Sequence, residues 1–237
     1  MHIAVKISLD NHIPVSLIMI QNNDVILFQG DSITDGGRDR NIKEANDRSG
    51  LGLGYAHHSA ATMLVDSPLS ALTIYNRGIG GNRITDLAER WAQDSIELKP
   101  NLLSILIGVN DTWHERNNPG QGVPVDKFDR VYRTLLDETL KTLPGVRLVI
   151  GEPFALRCGA VNDSWYPEFT ERQAVVAAIA QDYSTKYIPY QEIFDNASRD
   201  TGPDYWTLDG VHPTTAGHLL MARAWIDVVI GGAGDPD

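Results

Sequence analysis

The segment FQGDSITDGG, residues 28–37, joins an apolar stretch to a polar, glycine-rich one. The preceding residues VILF, at positions 25–28, have the composition of a buried strand, and the apolar run stops before Gly30. Ser32 follows, between an aspartate and small or turn-forming residues. A serine in this place is either a nucleophile or a hydroxyl that caps a helix or closes a turn. The residues at the other strand ends help to decide between these two roles.

Four further apolar runs resemble the first one and predict a sheet of five strands. The predicted strands are residues 24–29, 72–78, 102–108, 146–153 and 187–190. Helical spacing predicts helices over residues 55–65, 84–98, 127–143, 167–186 and 214–229. Strands and helices alternate, and the strands are continuously apolar. The predicted fold is therefore a three-layer α/β/α sandwich around a mostly parallel sheet.

Length and composition are those of one globular domain, with 237 residues of which 42% are hydrophobic and 22% charged. The regular pattern begins at Asp24, so residues 1–23 are interpreted as an N-terminal extension, in which Met19 is an alternative start. Residues 24–230 are predicted to form the domain. The last residues, GGAGDPD at 231–237, are predicted to be a flexible tail.

The first 20 residues are fairly apolar but do not have the pattern of an export signal. Polar residues and a proline interrupt them, at Lys6, Asp10, Asn11, His12 and Pro14, and no cleavage motif follows. No later run approaches the roughly 18 apolar residues that span a bilayer. We therefore expect a cytoplasmic protein without a membrane partner.

Charge and cysteine content narrow the possible partners. The net charge of -11 argues against nucleic acid, whose binding draws on clustered Lys and Arg. The single cysteine, Cys158, cannot form an internal disulfide, and no Cys/His spacing resembles a zinc site. These features favour a reducing compartment and a small, neutral substrate, and they predict no bound metal.

The ends of the predicted strands carry the chemistry-bearing residues. Ligands of parallel α/β folds bind outside the carboxyl ends of the strands. The first four ends read GDSITDGG, NRGIGGNR, GVNDTWHE and EPFALRCG. A further polar segment, DYWTLDGVHPTTAGH at 204–218, precedes the last helix.

His212 is the most informative histidine, because Asp209 precedes it by three residues and Pro213 follows it. Pro213 is predicted at the first position of the last helix, where proline is favourable. The Asp209 carboxylate can accept a proton from one ring nitrogen and leave the other to act as a base. The alternative is that Asp209 and His212 only fix a loop. A histidine that reached Ser32 would favour the nucleophile interpretation.

Two other strand ends supply hydrogen-bond donors for an oxyanion, which acyl transfer also needs. Gly81, in GIGGNR, can bring its backbone N–H close to a ligand because it has no side chain. Asn110, in GVND, carries an uncharged amide that remains a donor at every pH.

The four blocks GDSITDGG, NRGIGGNR, GVND and DGVHP occur in the order seen in the SGNH hydrolases, also called the GDSL esterase/lipase family, which this chain resembles from about Asp24 to Val229. The resemblance implies a flavodoxin-like fold, serine esterase chemistry and no metal or organic cofactor. It also implies roles for residues of the blocks: Ser32 as nucleophile, His212 as base, Asp209 as its orienting acid, and Ser32, Gly81 and Asn110 as oxyanion donors.

The longer stretches NRGIGGNRITDLAERW and DGVHPTTAGHLLMARAW are similar to those of intracellular carbohydrate acetylesterases, particularly acetylxylan esterases. This closer resemblance implies acetate as the acyl group, acetylated xylo-oligosaccharides or related sugars as substrates, and a homo-oligomer. A general short-chain carboxylesterase, a thioesterase and a lysophospholipase remain alternatives, because specificity depends on pocket contacts rather than on the nucleophile and base.

Asp31, Trp113 and Trp206 are the candidate substrate-binding residues. Aromatic faces suit the C–H faces of sugar rings, and further aromatic residues occur nearby at Trp165, Tyr166 and Tyr205. For each aromatic residue, packing in the core is the alternative interpretation.

Other features of the blocks have simpler interpretations. Asp35, Arg38 and Arg83 are expected to be solvated or ion-paired. A nucleotide-binding interpretation of GIGGNR fails because position 83 is arginine instead of the third glycine of that motif. A non-catalytic carbohydrate-binding module would have no reason to place Ser32 and His212 on separate strand ends.

Overall fold

A computed structural model describes residues 19–231 of the chain. Five strands form one sheet in the order β2-β1-β3-β4-β5, and every neighbouring pair is parallel. The strands are β1 Val25–Gly30, β2 Thr73–Asn76, β3 Leu102–Leu106, β4 Arg147–Gly151 and β5 Lys186–Ile188. This is the flavodoxin-like order, whose switch point lies between β1 and β3. The predicted fold class is confirmed.

Helices connect the strands and cover both faces of the sheet. The α-helices are α1 Ser32–Asp35, α2 Arg48–Leu51, α3 Tyr55–Asp66, α4 Ile84–Glu89, α5 Val109–Asn117, α6 Val125–Thr142, α7 Glu168–Asp182, α8 Tyr190–Thr201 and α9 Thr215–Ile230. A π-helical segment spans Ala92–Ile96, and short 3₁₀ helices span Asp163–Trp165 and Pro203–Tyr205. α3 and α9 pack on one face of the sheet, and α4, α6 and most of α7 pack on the other.

Several elements differ from the sequence prediction. The predicted strand over residues 187–190 ends at Ile188, and helix α8, which the sequence does not predict, begins at Tyr190, directly after Pro189. The predicted helix over residues 84–98 is divided into α4 and the π-helical segment Ala92–Ile96. The segment after β3, for which the sequence predicts no helix, forms α5. Only the first four residues of α5 are buried, and three of these are polar. The helix therefore lacks the apolar periodicity from which a helix is predicted.

The core lies on both faces of the central strands, since successive side chains of a strand point in opposite directions. Ile26 and Phe28 of β1 pack with α3 and α9, whereas Leu27 packs with α4 and α6. All three are fully buried. Burial on both faces is why this strand is apolar without alternation.

The ends of the described chain contact this domain. The Met19 N–H donates to Val229 O at 2.8 Å, and Arg147 forms a 2.6 Å ion pair with the buried Asp24. Residues 1–18 and 232–237, which include most of the predicted extension and tail, lie outside the described residues. None of the helices in residues 19–231 is long and apolar enough to cross a lipid bilayer.

The buried hydrogen bond between α9 and β3 is a test of how the core is held. Trp225 Nε1–H donates to Ser104 Oγ at 2.9 Å. We expect Ser104→Ala to lower the free energy of unfolding by about 1–3 kcal/mol, because a buried indole N–H loses its acceptor. In a protein that already carries Trp225→Phe, Ser104→Ala should lower the free energy of unfolding by a smaller amount. Urea unfolding of the four proteins measures both values, and equal costs in the two backgrounds would contradict the assignment.

Candidate active site

The candidate site lies at the carboxyl edge of the sheet. The strand register aligns Gly30 of β1 with Leu106 of β3, and Phe28 with Asn76 of β2. The segments that follow these strands therefore leave the sheet side by side. They are residues 31–37, 77–83 and 107–115, and they contain three of the four sequence blocks.

Ser32 is the first residue of the one-turn helix α1. Asp31 precedes it as the N-cap, and its carboxylate accepts the Ile33 N–H at 3.0 Å. The helix ends at Gly36, whose φ of 54° is left-handed. The serine side chain is half-buried and points toward the loop before α9.

A chain of two hydrogen bonds joins Ser32, His212 and Asp209. Ser32 Oγ lies 2.9 Å from His212 Nε2, and His212 Nδ1 lies 2.7 Å from Asp209 Oδ2. Asp209 Oδ1 also accepts the N–H groups of Val211 and His212, at 3.0 and 2.8 Å. The carboxylate is thus fixed by the loop that carries the imidazole. The structure brings together the three residues that the sequence assigned to one mechanism.

The loop that delivers His212 is closed by backbone hydrogen bonds. Leu208 N–H donates to His212 O at 2.8 Å, and Thr207 forms an isolated antiparallel bridge with Pro213. The N-cap of α9 is Thr214, whose Oγ1 accepts the Gly217 N–H. The prediction that Pro213 is the first residue of the helix is wrong. Pro213 lies before the N-cap and helps to close the loop instead.

The charge state of Asp209 follows from its hydrogen bonds. Partial burial acts to raise the pKa of Asp209, but the hydrogen bonds from the imidazole and N–H of His212 and from the Val211 N–H lower it overall. Hydrogen bonding to the charged form explains this direction. Asp209 is therefore ionised at neutral pH and favours the His212 tautomer with its proton on Nδ1.

Gly81 occupies a tight turn beside Ser32. Asn82 N–H donates to Ile79 O, and Gly81 has a φ of +84°, which favours glycine over any residue with a side chain. A Cβ added to Gly81 would have no atom within 4 Å, so open space lies next to it. Among residues 19–231 the N–H groups of Gly81 and Ser32 have no hydrogen-bond acceptor.

Asn110, the third predicted donor, is at the start of α5 and is 6% exposed. Its Nδ2 donates one N–H to Asn82 O at 3.1 Å. An amide nitrogen carries two protons, so the second remains for a ligand. The contact also ties Asn110 to the turn that contains Gly81.

Asp111 was not singled out from the sequence, although it follows Asn110 directly. Its two carboxylate oxygens accept the Ile84 N–H at 3.1 and 3.3 Å and so hold the start of α4. Burial raises the pKa of Asp111 to about 7, against the opposing charge of Arg172. Burial likewise raises the pKa of Asp31 to about 7.

The three candidate substrate-binding residues are placed differently. Asp31 is 1% exposed and caps α1, so its placement does not support contact with a substrate. Trp206 donates its indole N–H to Ala197 O and Thr201 Oγ1, which turns the polar edge toward α8. Trp113 is half-buried, and its ring centroid lies 5.4 Å from that of His212. Trp113 is therefore the candidate that reaches the site.

The other aromatic residues near the site differ in exposure. Trp165 is fully buried against Trp113 and Phe169. Tyr166 is half-buried, and the Arg157 guanidinium lies 4.1 Å from its ring centroid. Tyr205 is 56% exposed.

The charged residues near the blocks are not simply solvated. Asp35 and Arg38 are 6% and 7% exposed, and Arg38 Nε donates to Gly78 O at 2.8 Å. Asp35 pairs with Arg40. Arg83 is ion-paired, as expected, with Asp86 at 2.9 Å. Within the described part of the chain, no group of three or more His, Cys, Asp or Glu side chains could hold a metal ion.

A comparison with known protein families agrees with the fold and with the residues found at the carboxyl edge of the sheet. The model of the GDSL-like lipase/acylhydrolase family matches residues 28–220. The chain belongs to this family and is a carboxylic ester hydrolase, which confirms the resemblance in the sequence.

Individual proteins are similar to this chain over most of its length. An acetylxylan esterase from Geobacillus stearothermophilus is 32% identical over 210 residues, which cover 87% of this chain and 94% of that protein. The structure of the Geobacillus stearothermophilus acetylxylan esterase Axe2 covers 90% of this chain and 96% of its own, at 30% identity and a TM-score of 0.82. A protein from Parabacteroides merdae assigned as a GDSL-like lipase is 41% identical, with a TM-score of 0.86 and coverage of 90% and 98%.

Catalytic mutants of Axe2 have also been crystallised. They replace a serine, an aspartate and a histidine, each with alanine, and the histidine lies three residues after the aspartate. Asp209 and His212 have the same spacing in this chain.

The buried Asp31 predicts an unusual pH dependence of stability. Its pKa of about 7 lies above the ordinary value of 3.8, so its favourable contribution is present below pH 4 and is lost as the pH rises through 7. Asp31→Asn stays neutral and keeps an acceptor for the Ile33 N–H. Its stability relative to wild type should therefore increase from pH 4 to pH 8, at about 1.4 kcal/mol for each unit of pKa difference.

Thermal unfolding at several pH values measures this trend. Asp39→Asn is the matched control, because Asp39 is exposed and also accepts a backbone N–H, that of Asn41. A difference between Asp31→Asn and wild type that does not change with pH would contradict the prediction.

Proposed function

We propose that the protein is a serine esterase that removes acetyl groups from short xylo-oligosaccharides or related acetylated sugars, through an acyl-enzyme on Ser32. The observation that carries this proposal is the hydrogen-bonded chain from Ser32 through His212 to Asp209. A serine hydroxyl needs such a base to become a nucleophile.

In the first half of the reaction, Ser32 Oγ attacks the ester carbonyl carbon while His212 Nε2 takes its proton. The Ser32–His212 distance of 2.9 Å is within the range for this transfer. The carbonyl oxygen becomes negative and accepts hydrogen bonds from the N–H groups of Ser32 and Gly81 and from the Asn110 amide. His212 then donates its proton to the departing sugar hydroxyl.

In the second half, water attacks the acetyl-serine. His212 takes a proton from the water and returns one to Ser32 Oγ as acetate leaves. Asp209, whose hydrogen bonds keep it ionised, stabilises the imidazolium that forms in both halves.

Two observations support an acetylated sugar as the substrate. The relatives include acetylxylan esterases that match most of this chain. Trp113 also lies beside His212, where the leaving group departs, and an aromatic face there suits the C–H face of a sugar. The same nucleophile and base would serve a general short-chain carboxylesterase, a thioesterase or a lysophospholipase.

We also propose that the enzyme acts in the cytoplasm as a homo-oligomer, with residues 24–230 as its single domain. The single cysteine, Cys158, which cannot form an internal disulfide, supports the location. The resemblance to carbohydrate acetylesterases supports the oligomer.

Replacement of Ser32 tests the mechanism and the substrate class together. Ser32→Ala should reduce acetate release from acetylated xylo-oligosaccharides by about 10⁴-fold or more, and His212→Ala by a similar factor. Asp209→Ala should lose less, because it orients the base and does not transfer protons itself. Asp39→Asn, at an exposed aspartate outside the triad and the predicted oxyanion donors, is the control for general damage. Full activity of Ser32→Ala would refute the acyl-enzyme mechanism.

The length of the acyl chain separates the candidate substrates. Rates on 4-nitrophenyl acetate, butyrate and octanoate should fall steeply beyond acetate if the acyl site fits an acetyl group. Ser32→Ala supplies the background rate for each ester. Rates that rise with chain length would exclude the sugar deacetylase and favour a thioesterase or lysophospholipase. If the protein hydrolyses the 4-nitrophenyl esters but releases no acetate from sugars, it is a general carboxylesterase.

A further inference from the structure

Asp35 is a buried carboxylate close to the nucleophile that the proposed mechanism does not use. It is the last residue of α1, the helix whose first residue is Ser32. Its side chain is only 8% exposed. It accepts hydrogen bonds from backbone N–H groups of two loops and from one arginine guanidinium. Oδ1 accepts the N–H groups of Gly37 and Arg38, at 3.1 and 3.2 Å.

The second oxygen of Asp35 leaves its own segment. Oδ2 accepts the Gly80 N–H at 3.2 Å, and the Arg40 nitrogens Nε and Nη2 donate to it at 3.0 and 2.5 Å. Gly80 belongs to the loop after β2, 45 residues away in sequence. One carboxylate thus connects the helix of the nucleophile to the loop of the predicted oxyanion donor.

The contact at Gly80 is one residue before the predicted oxyanion donor Gly81. Gly80 and Gly81 are the central residues of the turn from Ile79 to Asn82, which the Asn82 N–H to Ile79 O hydrogen bond closes. Because Asp35 engages the Gly80 N–H, the plane of the preceding peptide is fixed. The turn lies beside the nucleophile, since a Cβ added to Gly80 would be 3.6 Å from Ser32 Cβ, and a Cβ added to Gly81 would have open space around it.

We propose that Asp35 is a positioning residue of the oxyanion hole: it holds the Gly80 N–H and so aligns the Gly81 N–H with the carbonyl oxygen attacked by Ser32. This inference rests on the proposed function. Asp35 touches neither the substrate nor the reacting atoms, and it acts through the turn. A hydrogen bond to a developing charge depends strongly on alignment, so a small shift of the turn reduces the rate.

Arg40 makes the negative charge of Asp35 tolerable at this buried position. Its guanidinium is half-exposed, which lets the pair keep contact with water while Asp35 itself stays buried. A paired and hydrogen-bonded carboxylate is the form in which a charge is retained inside a protein. The other end of the turn is held separately, by Asn110 Nδ2 on Asn82 O.

The test compares two esters that differ in one atom. In 4-nitrophenyl thionoacetate the carbonyl oxygen of 4-nitrophenyl acetate is replaced by sulfur, a larger and weaker acceptor that an oxyanion hole stabilises poorly. The ratio of kcat/KM for the oxygen ester to that for the sulfur ester therefore reports on the alignment of the donors. A variant that is only less stable loses rate on both esters equally.

We expect Asp35→Ala to lower kcat for 4-nitrophenyl acetate by about 10- to 100-fold, with little change in KM, and to lower the oxygen-to-sulfur ratio. Asn110→Ala, which removes a donor outright, is the positive control and should also lower the ratio. Asp39→Asn, a neighbouring exposed aspartate, should leave kcat and the ratio unchanged. Labelling of Ser32 by a fluorophosphonate counts the folded, competent sites in each preparation.

Asp35→Asn serves as the second variant if Asp35→Ala does not fold. It preserves the shape of the side chain but can accept hydrogen bonds on one side only, so it should lower the ratio as well. An unchanged ratio in a folded Asp35 variant, or a higher KM at constant kcat, would overturn the inference. Hydrolysis by Ser32→Ala would instead refute the proposed function, and the two failures are therefore distinct.

Discussion

The hydrogen bond between Ser32 and His212 joins residues 180 positions apart, and the rest of the site depends on it. It requires the exit of β1 and the loop before α9 to meet at one edge of the sheet. The packing of α9 on β1 fixes their separation: Trp225 lies 4.9 Å from Phe28, centroid to centroid, and donates to Ser104 of the adjacent strand. Because hydrogen-bond geometry tolerates only a few tenths of an ångström, a well-packed core is a condition for the chemistry at its edge.

Two buried carboxylates at the site make the fold less stable. Asp31 and Asp111 are carboxylates in nearly dry surroundings, and burial raises the pKa of both to about 7. Such groups favour folding less than apolar residues of similar size would. Each nevertheless fixes a backbone N–H near the site: Asp31 that of Ile33, next to Ser32, and Asp111 that of Ile84, at the start of α4. Local rigidity at the reacting atoms is thus obtained at the expense of the global free energy of folding, as is common at functional sites.

The sequence predicts the centre of the sheet well because β1, β3 and β4 are buried on both faces and need no long-range information to be recognised. The position of Ser32 follows from the rule that ligands bind at the strand ends. Its grouping with Asp209 and His212 comes from the resemblance to the SGNH hydrolases, because the loop before α9 follows no strand. Local sequence does not give the direction of the Trp206 side chain, which depends on α8, a helix that the sequence does not predict. It fails for Asp35 for the same reason: its decisive partner, Gly80, lies on another strand end.

The proposed substrate contact, Trp113, and the proposed base, His212, belong to one series of neighbouring rings. The rings of Trp165, Trp113 and His212 follow one another at centroid distances of 5.6 and 5.4 Å, and Trp165 is fully buried at the inner end. In the proposed mechanism, a leaving group that packed on Trp113 would therefore contact a ring that is supported from the inner side and that also neighbours the imidazole. Binding energy from such a contact would raise kcat only if the contact became stronger in the transition state. Leaving-group selectivity would then arise from how each alcohol seats the base, even though the triad geometry is the same for every ester.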